Sequence, residues 1–127
     1  MSPADPQTIL LVDDAEDCLS MLDIALQSLP GVAIRAARSA EDALKILASD
    51  AISAVITDLH LPAMSGLELI SHIRQQPQGE SLPILVVSAA ADPAEPRAAL
   101  ASGANAFFAK PFSPAAVRKK LEELIHA

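Results

Sequence analysis

The sequence reads TILLVDD at residues 8–14, an apolar run that ends abruptly in two acidic residues. Two later runs have the same form, since AVITD at residues 54–58 ends in Asp58 and AFFAK at residues 106–110 ends in Lys110. Short apolar runs without polar alternation are typical of strands buried on both faces of a parallel sheet. Because parallel strands end at a common edge, we expect three acids and one lysine to lie close together there.

The rest of the chain alternates between such runs and amphipathic stretches, which predicts five βα units. Strands are predicted at residues 8–12, 32–37, 54–57, 82–88 and 106–109. Helices are predicted at residues 14–28, 39–49, 66–75, 92–102 and 114–125. Strands that are each followed by a helix form a parallel sheet covered on both faces. We therefore predict an α/β fold, a flavodoxin-like doubly wound sheet of five parallel strands in the order 2-1-3-4-5 with five helices.

The fourth helix should depart from the regular pattern. Asp92 is its predicted N-cap, and Pro93 is tolerated directly after such a cap. Pro96 removes a backbone donor near the first helical hydrogen bond. We expect this helix to be short, frayed or shifted at its start.

Composition and charge limit the class of protein. The chain has 127 residues, 51% of them apolar, which fits one domain over residues 1–127 with an ordered core at about 8–125 after a short disordered lead. Its net charge of −7 argues against nucleic acid and anionic membrane surfaces as partners. A lone cysteine, Cys18, and the lack of a signal peptide or spanning segment lead us to expect a soluble cytoplasmic protein.

The predicted convergence of Asp13, Asp14 and Asp58 suggests a cation site. Crowded carboxylates repel one another, so such a patch favours a hard divalent cation with oxygen ligands. With the cation bound, one carboxylate would remain free to act as a nucleophile.

Four motifs in order carry a resemblance to a known family. LVDD at residues 11–14, DLHLPAMSG at 58–66, SA at 88–89 and KPF at 110–112 together resemble the receiver domain of two-component response regulators. The resemblance extends from about residue 8 to residue 125. It implies a protein that accepts a phosphoryl group from a histidine kinase or a histidine phosphotransfer protein and signals through a conformational change, rather than an enzyme acting on a separate substrate.

The resemblance also implies roles for single residues. Asp58 matches the phosphoacceptor, with Ser88 and Lys110 as its catalytic partners. The implied ion is Mg²⁺ or Mn²⁺. Its implied ligands are Asp14 and Asp58 directly, Asp13 through water, and the backbone carbonyl of His60.

Further features of the last strand follow from the same resemblance. Ser88 and Phe107 match the switch residues of the family, although Phe107 is as well explained as an ordinary core residue. Phe107 and Phe108 should face opposite sides of the sheet. The peptide bond between Lys110 and Pro111 is expected to be cis.

Other interpretations remain open at this stage. The chain could be a receiver excised from a hybrid histidine kinase or a larger regulator. A phosphatase with an aspartyl nucleophile is disfavoured because His60 stands where such enzymes carry a second acid. Flavodoxin-like electron transfer is disfavoured by the acids after the first strand, and the intact acid set argues against a docking-only pseudo-receiver.

Three further residues near the expected site have open roles. His60 either modulates the lifetime of the phosphoryl group or is an ordinary exposed loop histidine. Ala90 is expected to leave space for attacking water. Leu19 either docks the phosphoryl donor or is an ordinary surface leucine.

Overall fold

The computed structural model describes residues 7–89 and 92–126. Strands and helices alternate along the chain as β1 (Gln7–Val12), α1 (Glu16–Leu26), β2 (Val32–Ala37), α2 (Ala40–Ser49), β3 (Ala54–Thr57), α3 (Gly66–Gln75), a short 3₁₀ helix (Pro77–Gly79), β4 (Ile84–Ser88), α4 (Glu95–Ser102), β5 (Ala106–Ala109) and α5 (Pro114–Ile125). All strand pairs are parallel and form one sheet in the order β2-β1-β3-β4-β5. The predicted fold class and strand order are therefore confirmed.

Both faces of the sheet are covered, which explains why the strands lack polar alternation. Side chains such as Leu10 and Val86 pack with residues of α2, α3 and α4 on one face. Side chains such as Ile9 and Val87 pack with residues of α1 and α5 on the other. The five helices thus form two layers, and burial of aliphatic side chains against them is the main favourable contribution to folding.

The register of the strands brings their carboxyl ends to a common edge. Val12 of β1 is opposite Thr57 of β3, and Ser88 of β4 is opposite Ala109 of β5. The next residues after β1, β3 and β5 are Asp13, Asp58 and Lys110. The chain therefore presents its acids and its lysine at the edge where ligands bind in doubly wound sheets.

Helix boundaries differ from the prediction mainly at α1 and α4. Helix α1 begins at Glu16 and ends at Leu26, inside the predicted range of 14–28. Helix α4 begins at Glu95 rather than residue 92, and Pro96 is its second residue. Proline is tolerated there because N–H groups of the first turn have no partner within the helix. The expectation of a short, shifted helix is confirmed.

The predicted cap of α4 was wrong. Ala94 is the residue before the helix, and it provides no side-chain cap. The carboxylate of Asp92 instead accepts a hydrogen bond of 2.9 Å from the backbone amide of Ala94, within the turn that leads into the helix. The cap prediction, which used residue type alone, was wrong because Pro96 moves the start of the helix from residue 92 to Glu95.

Arg74, near the end of α3, joins three segments at the other ends of the strands, away from Asp58. Its guanidinium donates hydrogen bonds to the backbone carbonyls of Gly79 (2.7 Å), Leu82 (2.6 Å) and Gly103 (2.7 and 3.0 Å). Burial lowers the pKa of Arg74. Arginine suits this position because its planar fork holds several donors in fixed directions.

The predicted disordered lead extends to about Gln7. Residues 1–6 lie outside the described residues, whereas Gln7 is the first residue of β1, so the prediction was wrong at Gln7. Within residues 7–89 and 92–126, every helix is too short or too polar to cross a bilayer.

Candidate functional site

Asp58 is a buried carboxylate with hydrogen-bond donors on both of its oxygens. It follows β3 directly and its residue is 6% exposed. Oδ1 accepts hydrogen bonds from the Ser88 hydroxyl at 2.7 Å and from the backbone amide of His60 at 3.0 Å. Oδ2 accepts one from Lys110 Nζ at 2.9 Å. The ends of three strands thus meet on one carboxylate.

Lys110 joins Asp58 to the first strand. Its Nζ also lies 2.9 Å from Oδ2 of Asp13. Asp13 is 2% exposed, and its other oxygen accepts a hydrogen bond of 2.9 Å from the backbone amide of Ala15. Two buried carboxylates therefore share one ammonium group, which offsets the free-energy cost of taking their charges out of water.

The partners decide the charge states of this cluster. Burial pushes the pKa of Asp58 upward, but hydrogen bonds from the His60 amide, Ser88 and Lys110 outweigh it, so its pKa lies below the ordinary value. Burial pushes the pKa of Lys110 downward, but Asp13 and Asp58 outweigh it, so its pKa lies above the ordinary value. At neutral pH Asp58 is a carboxylate and Lys110 an ammonium ion.

Cys18 lies close to this cluster and takes no part in its chemistry. It is buried, and burial together with the neighbouring Asp13 raises the pKa of its thiol to about 12. Because only the thiolate is a good nucleophile, this thiol is unreactive at neutral pH.

Asp14 differs from the other two acids. Its residue is exposed, and the described hydrogen bonds and ion pairs do not join its carboxylate to Asp58 or Lys110. Among residues 7–89 and 92–126, no group of three or more His, Cys, Asp or Glu side chains is placed to hold a metal ion. The predicted convergence therefore holds for Asp13, Asp58 and Lys110, while Asp14 sits beside them in solvent.

The donor set nevertheless fits a magnesium ion. Mg²⁺ is bound in proteins by one or two carboxylates, and it keeps several waters or takes phosphate oxygens as its remaining ligands. Asp13 and Asp58 supply two carboxylates that share one lysine, and the exposed carboxylate of Asp14 follows next in the chain. A preformed cage of three side chains is not needed for such a site.

The loop between β3 and α3, residues 58–65, is shaped by close backbone contacts. The Gly66 amide donates a hydrogen bond of 2.9 Å to the carbonyl of Leu59. A Cβ atom at Gly66 would overlap the carbonyl oxygen of Asp58 and would lie 2.7 Å from Cα of Leu59. Ser65 and Glu68 form a capping box at the start of α3, a signal in the sequence that our prediction had missed.

The two phenylalanines of β5 point to opposite faces, as predicted. Phe107 packs with the cluster beneath α2, α3 and α4, and Phe108 packs with the cluster beneath α1 and α5. The bond between Lys110 and Pro111 is cis, also as predicted. Phe107 is only partly buried, and its role as a switch stays a prediction.

His60 has a partner that the sequence did not reveal. Its Nε2 lies 2.9 Å from Oε2 of Glu95, the first residue of α4. The two residues are far apart in sequence, and their contact depends on α4 starting at Glu95, so spacing gave no sign of it. Ala90 lies outside the described residues, and Leu19 is partly buried against the cluster beneath α1 and α5.

Known proteins are similar to this chain in sequence and in fold. A family model described as the response regulator receiver domain matches residues 9–122. A chemotaxis protein CheY homolog of Campylobacter jejuni is 30% identical over 118 residues, which is 92% of this chain and 91% of that protein. A 14.6 kDa protein of Leptolyngbya boryana is 36% identical over 106 residues, 84% of this chain and 80% of that protein.

Solved structures agree with these sequence matches. The crystal structure of a putative response regulator from Chloroflexus aurantiacus has a TM-score of 0.90 and 33% sequence identity. The similarity covers 97% of this chain and all of that one (100%).

Proposed function

The chain belongs to the response regulator receiver domain family, and we propose that its phosphoryl acceptor is Asp58. The observation that carries this proposal is the environment of Asp58. It is a buried carboxylate kept ionised by donors on both oxygens, at the edge of the sheet where ligands bind. Burial with a lowered pKa is what a carboxylate needs to act as a nucleophile at neutral pH.

In the proposed reaction, an oxygen of Asp58 attacks the phosphorus of a phospho-histidine donor. A bond forms between phosphorus and the Asp58 oxygen as the bond between phosphorus and the donor nitrogen breaks, and the imidazole of the donor leaves. We propose that Lys110 and the Ser88 hydroxyl, which donate to Asp58 in this structure, donate to oxygens of the transferred group. Such donors lower the barrier by stabilising the negative charge on these oxygens.

We propose that the divalent cation is Mg²⁺ or Mn²⁺, since magnesium binding is a feature of the family. The residues that would hold it are Asp13, Asp14 and Asp58, with the backbone carbonyl of His60. When bound, the cation supplies positive charge that neutralises part of the negative charge on the phosphoryl oxygens.

The donor is a histidine kinase or a histidine phosphotransfer protein, because receiver domains interact with these proteins. We propose that phosphorylation alters the Ser88 and Phe107 positions and so the surface presented to a downstream protein.

The chain acts as one receiver domain over residues 1–127 and as an acceptor, not as an enzyme that turns over separate substrates. We propose that the protein is cytoplasmic, because a free, buried Cys18 is compatible with a reducing compartment.

The test is phosphorylation of the full chain by acetyl phosphate, followed by intact mass. We expect one phosphoryl group on the wild-type chain with Mg²⁺, none with EDTA, and none on Asp58→Asn. Asp42→Asn is the matched control, because Asp42 is an exposed acid on α2, and it should be phosphorylated like the wild type. A wild-type chain that gains no phosphoryl group rejects the function, and equal labelling of Asp58→Asn rejects the acceptor.

A further inference from the structure

The carboxylate of Glu95 joins two segments that flank Asp58. Its Oε2 lies 2.9 Å from His60 Nε2, and its Oε1 accepts a hydrogen bond of 3.1 Å from the backbone amide of Asp92. The Glu95 side chain is 17% exposed, whereas the His60 side chain is 50% exposed. A half-exposed imidazole is thus held by a well-covered carboxylate at the first residue of α4.

Both segments also reach the same oxygen of Asp58. Oδ1 accepts hydrogen bonds from the backbone amide of His60 and from the Ser88 hydroxyl. Ser88 ends β4, and the chain that follows it leads to Asp92 and Glu95. Glu95 is therefore connected to Asp58 through His60, whose side chain it contacts and whose backbone amide donates to Oδ1 of Asp58.

We propose that Glu95 is a positioning residue, which acts through His60 to hold the β3–α3 loop and the first turn of α4 in their resting arrangement. The contact does not depend on the imidazole being charged, because a neutral histidine can donate from Nε2 to a carboxylate. This inference rests on the proposed role of Asp58 as phosphoacceptor, since it assigns Glu95 an effect on the phosphorylated state.

The direction of the effect follows from the partners of Oδ1. Donors bind an ionised carboxylate more strongly than the neutral acyl group that remains after phosphorylation. The hydrogen bond from the His60 amide to Oδ1 therefore favours the unphosphorylated form, and the Glu95 contact supports the arrangement in which this bond is made. A contact that is made only in the resting arrangement stabilises that arrangement relative to the phosphorylated one by the free energy of the contact. Removing the contact should therefore favour the phosphorylated arrangement.

The experiment measures the affinity of the full chain for beryllofluoride, a phosphoryl mimic, in the presence of Mg²⁺. We expect Glu95→Ala and His60→Ala each to bind it about two- to fivefold more tightly than the wild type, the range typical of partly exposed ion pairs. The double variant should bind no more tightly than Glu95→Ala alone, because the contact with His60 is already lost in that variant.

Two further variants separate this role from a general structural one. His60→Gln keeps a side-chain donor for Glu95 and should lie between the wild type and His60→Ala. Glu41→Ala is the matched control, because Glu41 is an exposed glutamate in the first turn of α2, and it should bind like the wild type. A second readout needs no ligand: exchange of the Ala98 backbone amide, which donates to the Ala94 carbonyl, should be faster in Glu95→Ala.

The outcomes distinguish this inference from the proposed function. Unchanged or weaker binding by Glu95→Ala, or additive effects in the double variant, would overturn the role of Glu95. A wild-type chain that does not bind beryllofluoride would count against the proposed function instead. In that case the exchange of Ala98 decides whether Glu95 holds α4, since unchanged exchange would reject the contact as well.

Discussion

At the scale of single residues, the proposed phosphoryl transfer depends on Asp58 staying ionised while buried. Burial alone would favour the protonated acid, and three donors from β4, β5 and the β3–α3 loop reverse that preference. Lys110 has the complementary role, since Asp58 and Asp13 share its ammonium group. These two acids raise its pKa by more than burial lowers it. The site is therefore a cluster of two buried carboxylates around one ammonium group, in which the charged form of each residue depends on its neighbours.

This dependence predicts how stability changes with pH. Because the pKa of Asp58 in the fold lies below its ordinary value of 3.8, its charge contributes stability above that pH and loses the contribution as the pH falls further. The side-chain amide of an Asp58→Asn variant cannot titrate. Measured by urea unfolding without divalent cations, the free energy of unfolding of the wild type should therefore fall relative to the variant below pH 3.8. Parallel pH profiles would contradict the direction of the shift.

At the scale of elements, Gly66 connects helix packing to the site. A side chain at this position would meet the backbone of Asp58 and Leu59, so α3 could not stay in place without moving the carboxylate. We expect Gly66→Ala to lower the free energy of unfolding by about 2 kcal/mol and to slow phosphorylation by acetyl phosphate.

The control for this substitution is Gly31→Asn. Gly31 has a φ of 73° and open space around its missing Cβ, and asparagine tolerates that conformation better than other residues. This variant should be phosphorylated at the wild-type rate. A Gly66→Ala variant with wild-type stability and wild-type phosphorylation would show that the loop adjusts without affecting Asp58.

The elements that the sequence predicted correctly are those that depend on local patterns. Apolar runs located the five strands, and the acids and lysine at their ends located the site, because parallel strands share an edge. The predicted N-cap at Asp92 was wrong because Pro96, four residues beyond the expected start, moved the start of the helix. A rule based on local residue type could not decide between the cap preference of Asp92 and the effect of Pro96 on the start of the helix.

The contacts that the sequence did not predict are those between distant segments. Arg74 binds backbone carbonyls of three segments, and carbonyls carry no signal in a sequence. Glu95 meets His60 only because α4 begins where it does. The roles of Asp14 and Phe107 likewise stay predictions, since they concern a bound ion and a second conformation.

At the scale of the whole molecule, the sheet collects residues from four strand ends into one site and leaves α4 beside it. The central claim is that this site forms an acyl phosphate on Asp58. Borohydride reduction of the phosphorylated chain converts a phosphorylated aspartate to homoserine, which peptide mass spectrometry locates. We predict homoserine at position 58 and at no other aspartate, and homoserine at Asp13 or Asp14, or at no position, would contradict the claim.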